Sequence, residues 1–328
     1  MNLKAPACLA RVTMRHITYA YLGPEDRAGK YAKKGTATDI TLFNTKKGDA
    51  HLNIVTASRF PDKIMSLLYA LDLSDEIILQ PDKLDRSLGE MVVAAELLGK
   101  TKGFLRPEGA VDATQLQGLL AKTALKDLTL STDPEGVFRE QLTERQGSGP
   151  AEPLVIPVDH AFPVKGVGTV ALALVRSGTL KHHASLQSFP TNKMAEVRSI
   201  QIHDVDQESA SPGSRVGLAL KGVEPEDVNR GHILAVKDSL KVAAAGTPFE
   251  VGLAPHPFSK WTPKAGAVVH LYHTLQDVVV RVEEVKGAAP NLRLVLKSEQ
   301  PLVKVPHQPA VLVDIDNKAQ RLIGRIAF

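Results

Sequence analysis

Asp159 and His160 stand side by side in PVDHAFPVKGVGTVALALVRSGTL, residues 157–180, ahead of Gly166, Gly168 and Gly178 on a background of β-branched residues. An adjacent carboxylate and imidazole admit three readings: an acid–base pair, a ligand-holding pair, or a polar turn at the mouth of a strand. The rest of the chain gives catalysis little to work with. It has no Gly-x-Ser-x-Gly, no His-Glu-x-x-His and no supported Cys–His arrangement. Its one cysteine, Cys8, can form neither an intrachain disulfide nor a thiolate metal site, which suits a reducing compartment. His182 and His183 are adjacent, and His270 and His273 are three apart. On strands both spacings point the rings to opposite faces, so no metal is expected. A second constellation is cationic. Arg27, Lys30, Lys33 and Lys34 fall in one loop, with Lys46 and Lys47 after the next strand. They could meet RNA phosphates or form a solvated face. Trp261, in HPFSKWTPKAG, could stack on RNA or pack at a domain interface.

These residues need scaffolding that 328 residues supply as more than one domain. A net charge of +4 tolerates a polyanion without demanding one. No apolar run approaches a membrane span and the first residues hold no long apolar segment, so a cytoplasmic protein without a membrane partner is expected. Up to residue 145, strands alternate with helices: HITYAYL, a hairpin of ATDITLFN and AHLNIVTA, a helix over DKIMSLLYALDL, the strand EIILQ, a helix over SLGEMVVAAELLG closed by Gly99, then GFL, ATQLQGLLAK and LTLST. That alternation implies a mostly parallel sheet covered on both faces. ERQGSGPAEP, residues 144–153, reads as a linker. After it come short strands with Gly, Pro and Asp-rich turns, broken again near KVAAAGTP. The fold class is therefore α/β plus all-β: an α/β domain over 1–145, then β-barrels over 153–240 and 245–328. Repeats and low-complexity tracts are absent.

VDHAFPVKGVGTVALALVRSGTL resembles the opening of domain two in elongation factor Tu and its relatives, and SPGSRVGLALKGVEPEDVNRGHIL resembles that domain's closing stretch. Two segments in the right order, about 50 residues apart, are more specific than one motif. The Asp-His version is most similar to the selenocysteine-specific elongation factors, and in particular to archaeal paralogues with damaged GTPase motifs. The resemblance covers most of the chain, strongly over 153–234 and weakly over 1–145. It implies a P-loop-GTPase-like domain followed by two barrels.

The same resemblance implies four nucleotide motifs, and each is altered here. A P-loop needs Gly-x-x-x-x-Gly-Lys-[Ser/Thr] to wrap phosphates in backbone N–H groups. GPEDRAGKY instead encloses five residues between Gly23 and Gly29, follows Lys30 with Tyr31, and sets Glu25 and Asp26 where a triphosphate would meet like charge. Little room remains for a helix after it. Ala37 stands at the switch threonine, although a slip of one residue restores Thr36 or Thr38. Thr56 and Phe60 replace the Asp and His of the second switch, and Arg106 to Gly109 replace the guanine-reading Asn-Lys-x-Asp. The joint pattern implies that GTP and magnesium are lost as cofactors and that the protein is not an enzyme. By the same resemblance Asp159, His160 and Arg230 line a pocket for the aminoacyl end of tRNA, holding an anion with Arg230 and the imidazole. A non-catalytic factor binding aminoacyl-tRNA or the ribosome follows, with no DNA partner. Two alternatives stand beside it: a GTPase with a rebuilt P-loop on Lys30 or Lys34, and a protein-interaction or regulatory scaffold.

Overall fold

A computed structural model describes residues 15–109, 111–147, 152–288, 291–317 and 319–328. Cys8 and residues 148–151 of the linker lie outside them. The first domain contains β1 (Arg15–Leu22), α1 (Glu25–Ala28), β2 (Lys33–Ala37), β3 (Thr41–Lys47), β4 (Ala50–Thr56), α2 (Ile64–Asp72), β5 (Glu76–Leu79), α3 (Arg86–Leu97), β6 (Gly103–Leu105), α4 (Ala113–Leu120), β7 (Thr129–Leu130) and α5 (Glu135–Glu144). Its sheet runs β2-β3-β4-β1-β5-β6-β7. The pairings from β4 to β7 are parallel, and the β2–β3 and β3–β4 pairings are antiparallel. Every residue of β4 is buried, as expected of a strand covered on both faces. The side chain of Asp85 caps α3 by accepting from the Leu88 N–H at 3.2 Å, and Gly99 follows the helix with φ +70°.

Two elements depart from the sequence reading. Of the basic run expected as a loop, Arg27 lies on α1, while Lys33 and Lys34 begin the edge strand β2, exposed along its whole length. β3 has an open edge that needs a backbone partner, and lysines on an outer strand discourage pairing with a further chain. The helix α5 is absent from that reading altogether. Phe138 and Leu142, four residues apart, bury one face of it, and Pro134 sits at its N-cap.

The first barrel is built from β8 (Val155–Val164), β9 (Gly168–Leu174), β10 (Leu180–Lys181), β11 (Ser185–Phe189), β12 (Lys193–Ile202), β13 (Val205–Gln207), β14 (Ser209–Ala210), β15 (Arg215–Lys221) and β16 (Ile233–Ala235). The order β11-β16-β8-β9-β15-β12 closes through β11–β12 pairing. Gly166 and Gly168 turn the β8–β9 hairpin with φ of +83° and +102°, so this part of the opening motif is barrel architecture. The second barrel holds β17 (Lys241–Ala243), β18 (Phe249–Pro255), β19 (Val268–His273), β20 (Gln276–Lys286), β21 (Arg293–Ser298), β22 (Leu302–Lys304), β23 (Ala310–Val313) and β24 (Leu322–Ala327). It closes in the order β18-β21-β20-β19-β23-β24, while β17 and β22 pair as a separate ribbon. Trp261 packs half-buried against this barrel's core. His182 and His183 occupy a turn rather than a strand, so their rings lie 3.9 Å apart instead of on opposite faces. Among the described residues, no helix is long and apolar enough to cross a membrane.

The first domain and the second barrel share one apolar core. Leu67, Leu68 and Leu71 of α2 cluster with Tyr272, Val311, Val313 and Leu322. Polar contacts tie the same pieces together. Arg321 donates to the Glu90 carboxylate, and both are buried. At the end of α2 the Asp72 carboxylate meets all three units. It accepts from Arg176 of the first barrel at 2.7 Å, and from the Tyr272 hydroxyl and Leu275 N–H of the second barrel at 3.0 and 2.9 Å.

Candidate functional site

The carboxyl ends of β1, β4 and β5 surround a cavity of about 300 Å³, lined by Gly23, Glu25, Thr56, Ser58, Phe60 and Lys83 among others. Open α/β sheets place ligands in such a crevice. Here a side chain of the protein itself occupies the polar wall. The Glu25 carboxylate accepts from Lys34 Nζ at 3.1 Å and from Thr56 Oγ1 at 3.2 Å. Thr41 and Ser58, whose hydroxyls lie 2.6 Å apart, complete the ring around it. Burial works to raise the pKa of Glu25, but hydrogen bonds from Ser58, Lys34, Thr41 and Thr56 outweigh it and hold the acid below its ordinary range.

The remaining residues of the expected nucleotide site have other duties. A Cβ on Gly23 would fall 2.2 Å from the Gln80 carbonyl oxygen, so this glycine serves close packing of β1 on the segment after β5. Gly29 has an ordinary right-handed φ of −59°. Between Gly23 and β2 the helix is the single turn of α1. Ala37 is exposed on β2 opposite Thr41. Phe60 is half-buried against the shared core, with the Arg321 guanidinium 5.9 Å from its ring. Arg106 donates to the Asp133 carbonyl at 2.8 Å and lies 4.5 Å over the Phe138 ring. Gly109 has φ +67° and no side chain against it. Beside α1, Tyr21 and Tyr31 donate to Gln80 Oε1 at 3.1 and 2.9 Å.

The basic constellation is largely neutralised within the chain. Arg27 pairs with Glu108 at 3.4 Å, Lys30 with Glu135 at 2.8 Å, Lys34 with Glu25 at 3.1 Å and Lys47 with Glu140 at 2.8 Å. Lys33 and Lys46 remain on the β2–β3 hairpin, near a cleft of about 760 Å³ facing the first barrel that Lys46 lines.

Asp159, His160 and Arg230 do come together. They line a small pocket with Thr36, Thr38, Ile40 and Arg215, between the β2–β3 hairpin and the first barrel. A bulge between Val158 and His160 turns Asp159 inward and leaves His160 exposed. Asp159 therefore pairs with an arginine and not with His160. Asp159 Oδ2 takes Arg215, while its buried Oδ1 has no partner among the described residues. Arg230 Nε donates to the Asp159 carbonyl at 2.9 Å, and its NH1 reaches Asp39 Oδ2 of the first domain at 2.6 Å. The Arg230 guanidinium also lies 4.8 Å over the Tyr69 ring. Burial works to raise the pKa of Asp39, and the Arg230 guanidinium outweighs it, keeping the carboxylate charged. Asp39 and Arg215 escaped the sequence reading. Only the aspartate of GTATD beside the expected switch position hinted at either.

As it stands the pocket encloses only about 10 Å³, room for about one water, with a buried unused carboxylate oxygen and an exposed imidazole beside two guanidinium groups that already have carboxylate partners. Comparison with known proteins supplies the context. The elongation factor Tu domain 2 family matches residues 168–235. An uncharacterized protein of Methanocaldococcus jannaschii is 38% identical over 286 residues, covering 86% of this chain and 91% of that one. Elongation factor 1-alpha of Methanospirillum hungatei is 30% identical over 153 residues, 47% of this chain and 36% of its own length. The selenocysteine-specific elongation factor of Methanocaldococcus jannaschii is 46% identical over 90 residues, 27% of this chain and 19% of its own. In structure, the chain is similar to translation elongation factor SelB of Methanococcus maripaludis in complex with a GTP analogue. The TM-score is 0.79 at 19% identity, over 96% of this chain and 79% of that one.

Proposed function

Because the chain belongs to the elongation factor Tu-like translational GTPases, close to the selenocysteine-specific elongation factors, we propose that it is an RNA-binding translation factor that works without GTP hydrolysis. The observation that carries this reading is the Glu25 carboxylate, gathering Lys34, Thr41, Thr56 and Ser58 at the mouth of the parallel sheet. In working GTPases the γ-phosphate and its magnesium order the switch loops and hydrolysis releases them. In this chain an internal anion takes the donors at that end of the sheet, and Asp39 fastens the next segment to Arg230. A triphosphate brought here would meet Glu25 at close range without a phosphate-wrapping loop, and phosphoryl transfer depends almost wholly on such positioning. GTP and magnesium are then not cofactors, and release from the partner follows from weak binding or another protein.

The partner is an aminoacylated tRNA, with the pocket of Asp159, His160 and Arg230 receiving its aminoacyl end. The free Asp159 Oδ1 suits an amino group, and His160 and Arg230 suit an anion. Isothermal calorimetry at about 50 µM protein is expected to show no saturable GTP or GDP heat with or without magnesium. Tight magnesium-dependent binding overturns the loss of nucleotide chemistry. Filter binding of aminoacyl-tRNA is expected to weaken about tenfold in His160→Ala, the value of one lost polar contact. Because His160 is exposed, the fold should be untouched. Equal affinity for acylated and deacylated tRNA in both proteins overturns the pocket.

A further inference from the structure

The β17–β22 ribbon sets Lys241 directly opposite Lys304. Like charges in facing positions destabilise a strand pair, and a ribbon of three residues a side has little else to offset it. No carboxylate comes to their relief. They line a cleft of about 860 Å³ whose other charged or titratable members are His307 and Arg325, with no Asp or Glu in the lining. Neither lysine has an ion pair among the described residues, whereas Arg27, Lys30, Lys34 and Lys47 are all paired. Burial and then the neighbouring Lys241 lower the pKa of Lys304. One aromatic ring, Phe328, lines the cleft. Lys304 Nζ lies 5.1 Å from the ring centres of both Phe249 and Phe328, and Phe328 is 44% exposed. Arg325 closes one side by donating to the Leu97 and Glu96 carbonyls at the end of α3, which settles the negative end of that helix. The cleft shares no lining residue with the crevice at Glu25 or with the pocket at Asp159.

From facing unpaired lysines, an acid-free lining and an exposed ring, we infer that this cleft binds the phosphodiester backbone of an RNA strand. A phosphate between Lys241 and Lys304 replaces their repulsion with two charge-assisted hydrogen bonds. Phe328 offers a flat face to an unpaired base, the combination of cationic groove and aromatic platform used for single-stranded nucleic acid. An acidic protein segment would satisfy the lysines but make no use of the exposed part of the Phe328 ring.

The inference rests on the RNA-binding reading above, and the test separates the two. The probe is a fluorescent single-stranded uridine dodecamer, titrated at several salt concentrations into the full chain and into Lys241→Gln/Lys304→Gln. The double variant is expected to bind at least tenfold more weakly, with a salt slope smaller by about one to two. Its melting temperature should be unchanged or higher, because the change removes a repulsion. Phe328→Ala is expected to weaken the dodecamer with the salt slope kept. Unchanged dodecamer affinity in the double variant overturns the cleft, and the pocket at His160 then stands or falls on its own tRNA assay. Polyglutamate binding that depends on the lysines, with no dodecamer binding, overturns RNA in favour of an acidic protein. A wild-type chain that binds neither dodecamer nor tRNA overturns both readings.

Discussion

Asp72→Ala is expected to destabilise the protein by about 3–5 kcal/mol, the cost of stranding a buried charge by deleting its partner. Asp72 and Arg176 are 5% and 12% exposed in their side chains. The substitution leaves the Arg176 cation, the Tyr272 hydroxyl and the Leu275 N–H without their shared carboxylate. The last of these matters most for geometry. Thr274 and Leu275 turn the β19–β20 hairpin with φ of +48° and +61°, a conformation that residues with a Cβ avoid at a cost of roughly 1–2 kcal/mol each. The carboxylate holds the second of them in place. The first barrel should loosen before the rest. The first domain and second barrel share a broad apolar core, whereas the first barrel contributes Leu174 to the buried cluster of Ile40, Leu42, Val55, Ala70 and Leu73, and meets the second barrel through a smaller buried set, Val155, Phe189, Ile233 and Ala235 with Val303 and Val305. Denaturant unfolding should therefore show a lower midpoint, with early protease cleavage within residues 152–235. Asp72→Asn keeps one acceptor and should lose about half as much. A loss below about 1 kcal/mol in Asp72→Ala, the range of an ordinary surface change, would remove the junction from its role.

Most of the fold is legible because it rests on local periodicity. Apolar spacing at Ile64, Leu67, Leu68 and Leu71 places α2, and glycine-marked strands place the barrels. The pocket is legible in part for the same reason: Asp159, His160 and Arg230 sit in motifs whose glycines shape the backbone locally. What sequence pattern hides is pairing at long range. Arg176 lies 104 residues from Asp72, Tyr272 lies 200 away, and Arg230 lies 191 from Asp39. No period connects them, and a charged residue at the end of a helix looks the same whether it faces water or three domains. Glu25 shows the intermediate case. Its charge counts against a triphosphate in the sequence, but its service as the acceptor for four donors depends on hydroxyls from β3, β4 and the turn after β4. The lysines illustrate the converse. Sequence clustering pointed to residues 27–47, while the uncompensated pair, Lys241 and Lys304, is brought together only by strand register.

Acidification from pH 7 to 4.5 is expected to remove several kcal/mol of stability, and three histidines between the first domain and first barrel account for much of it. His16 and His51 face each other across β1 and β4, with ring centres 5.0 Å apart, and His203 from the β12–β13 turn meets His51 edge-on at 4.4 Å. Their nitrogens do not converge on a metal: no group of three or more His, Cys, Asp or Glu among the described residues could hold one. His16 Nδ1 and both ring nitrogens of His51 are buried without partners among the described residues. Burial first, and then the charge a neighbouring His203 would carry, push His16 and His51 down to about 4. Lys46 adds to this at His51. At His203 burial again comes first, with Asp204 opposing and Lys46 and Arg215 reinforcing it.

The sign follows from the ordinary histidine value near 6.5. Between there and about 4 the unfolded chain binds protons that the folded chain refuses, so stability falls as pH falls, by on the order of 3 kcal/mol for the first of the pair to be charged. His232 and His273, also lowered by burial, act in the same direction. His270 is raised by its hydrogen bond to Asp277 and acts against them. Carboxylates held low, such as Asp39 and Glu90, keep their contribution above their unfolded values near 4 and lose it as pH falls from there through their lower folded values, at and beyond the acid end of this window. Melting curves at pH 7.5 and 5 should show a large drop for the wild-type chain and a smaller one for His51→Gln, which cannot take up the proton. Equal drops in the two proteins would place the acid sensitivity elsewhere.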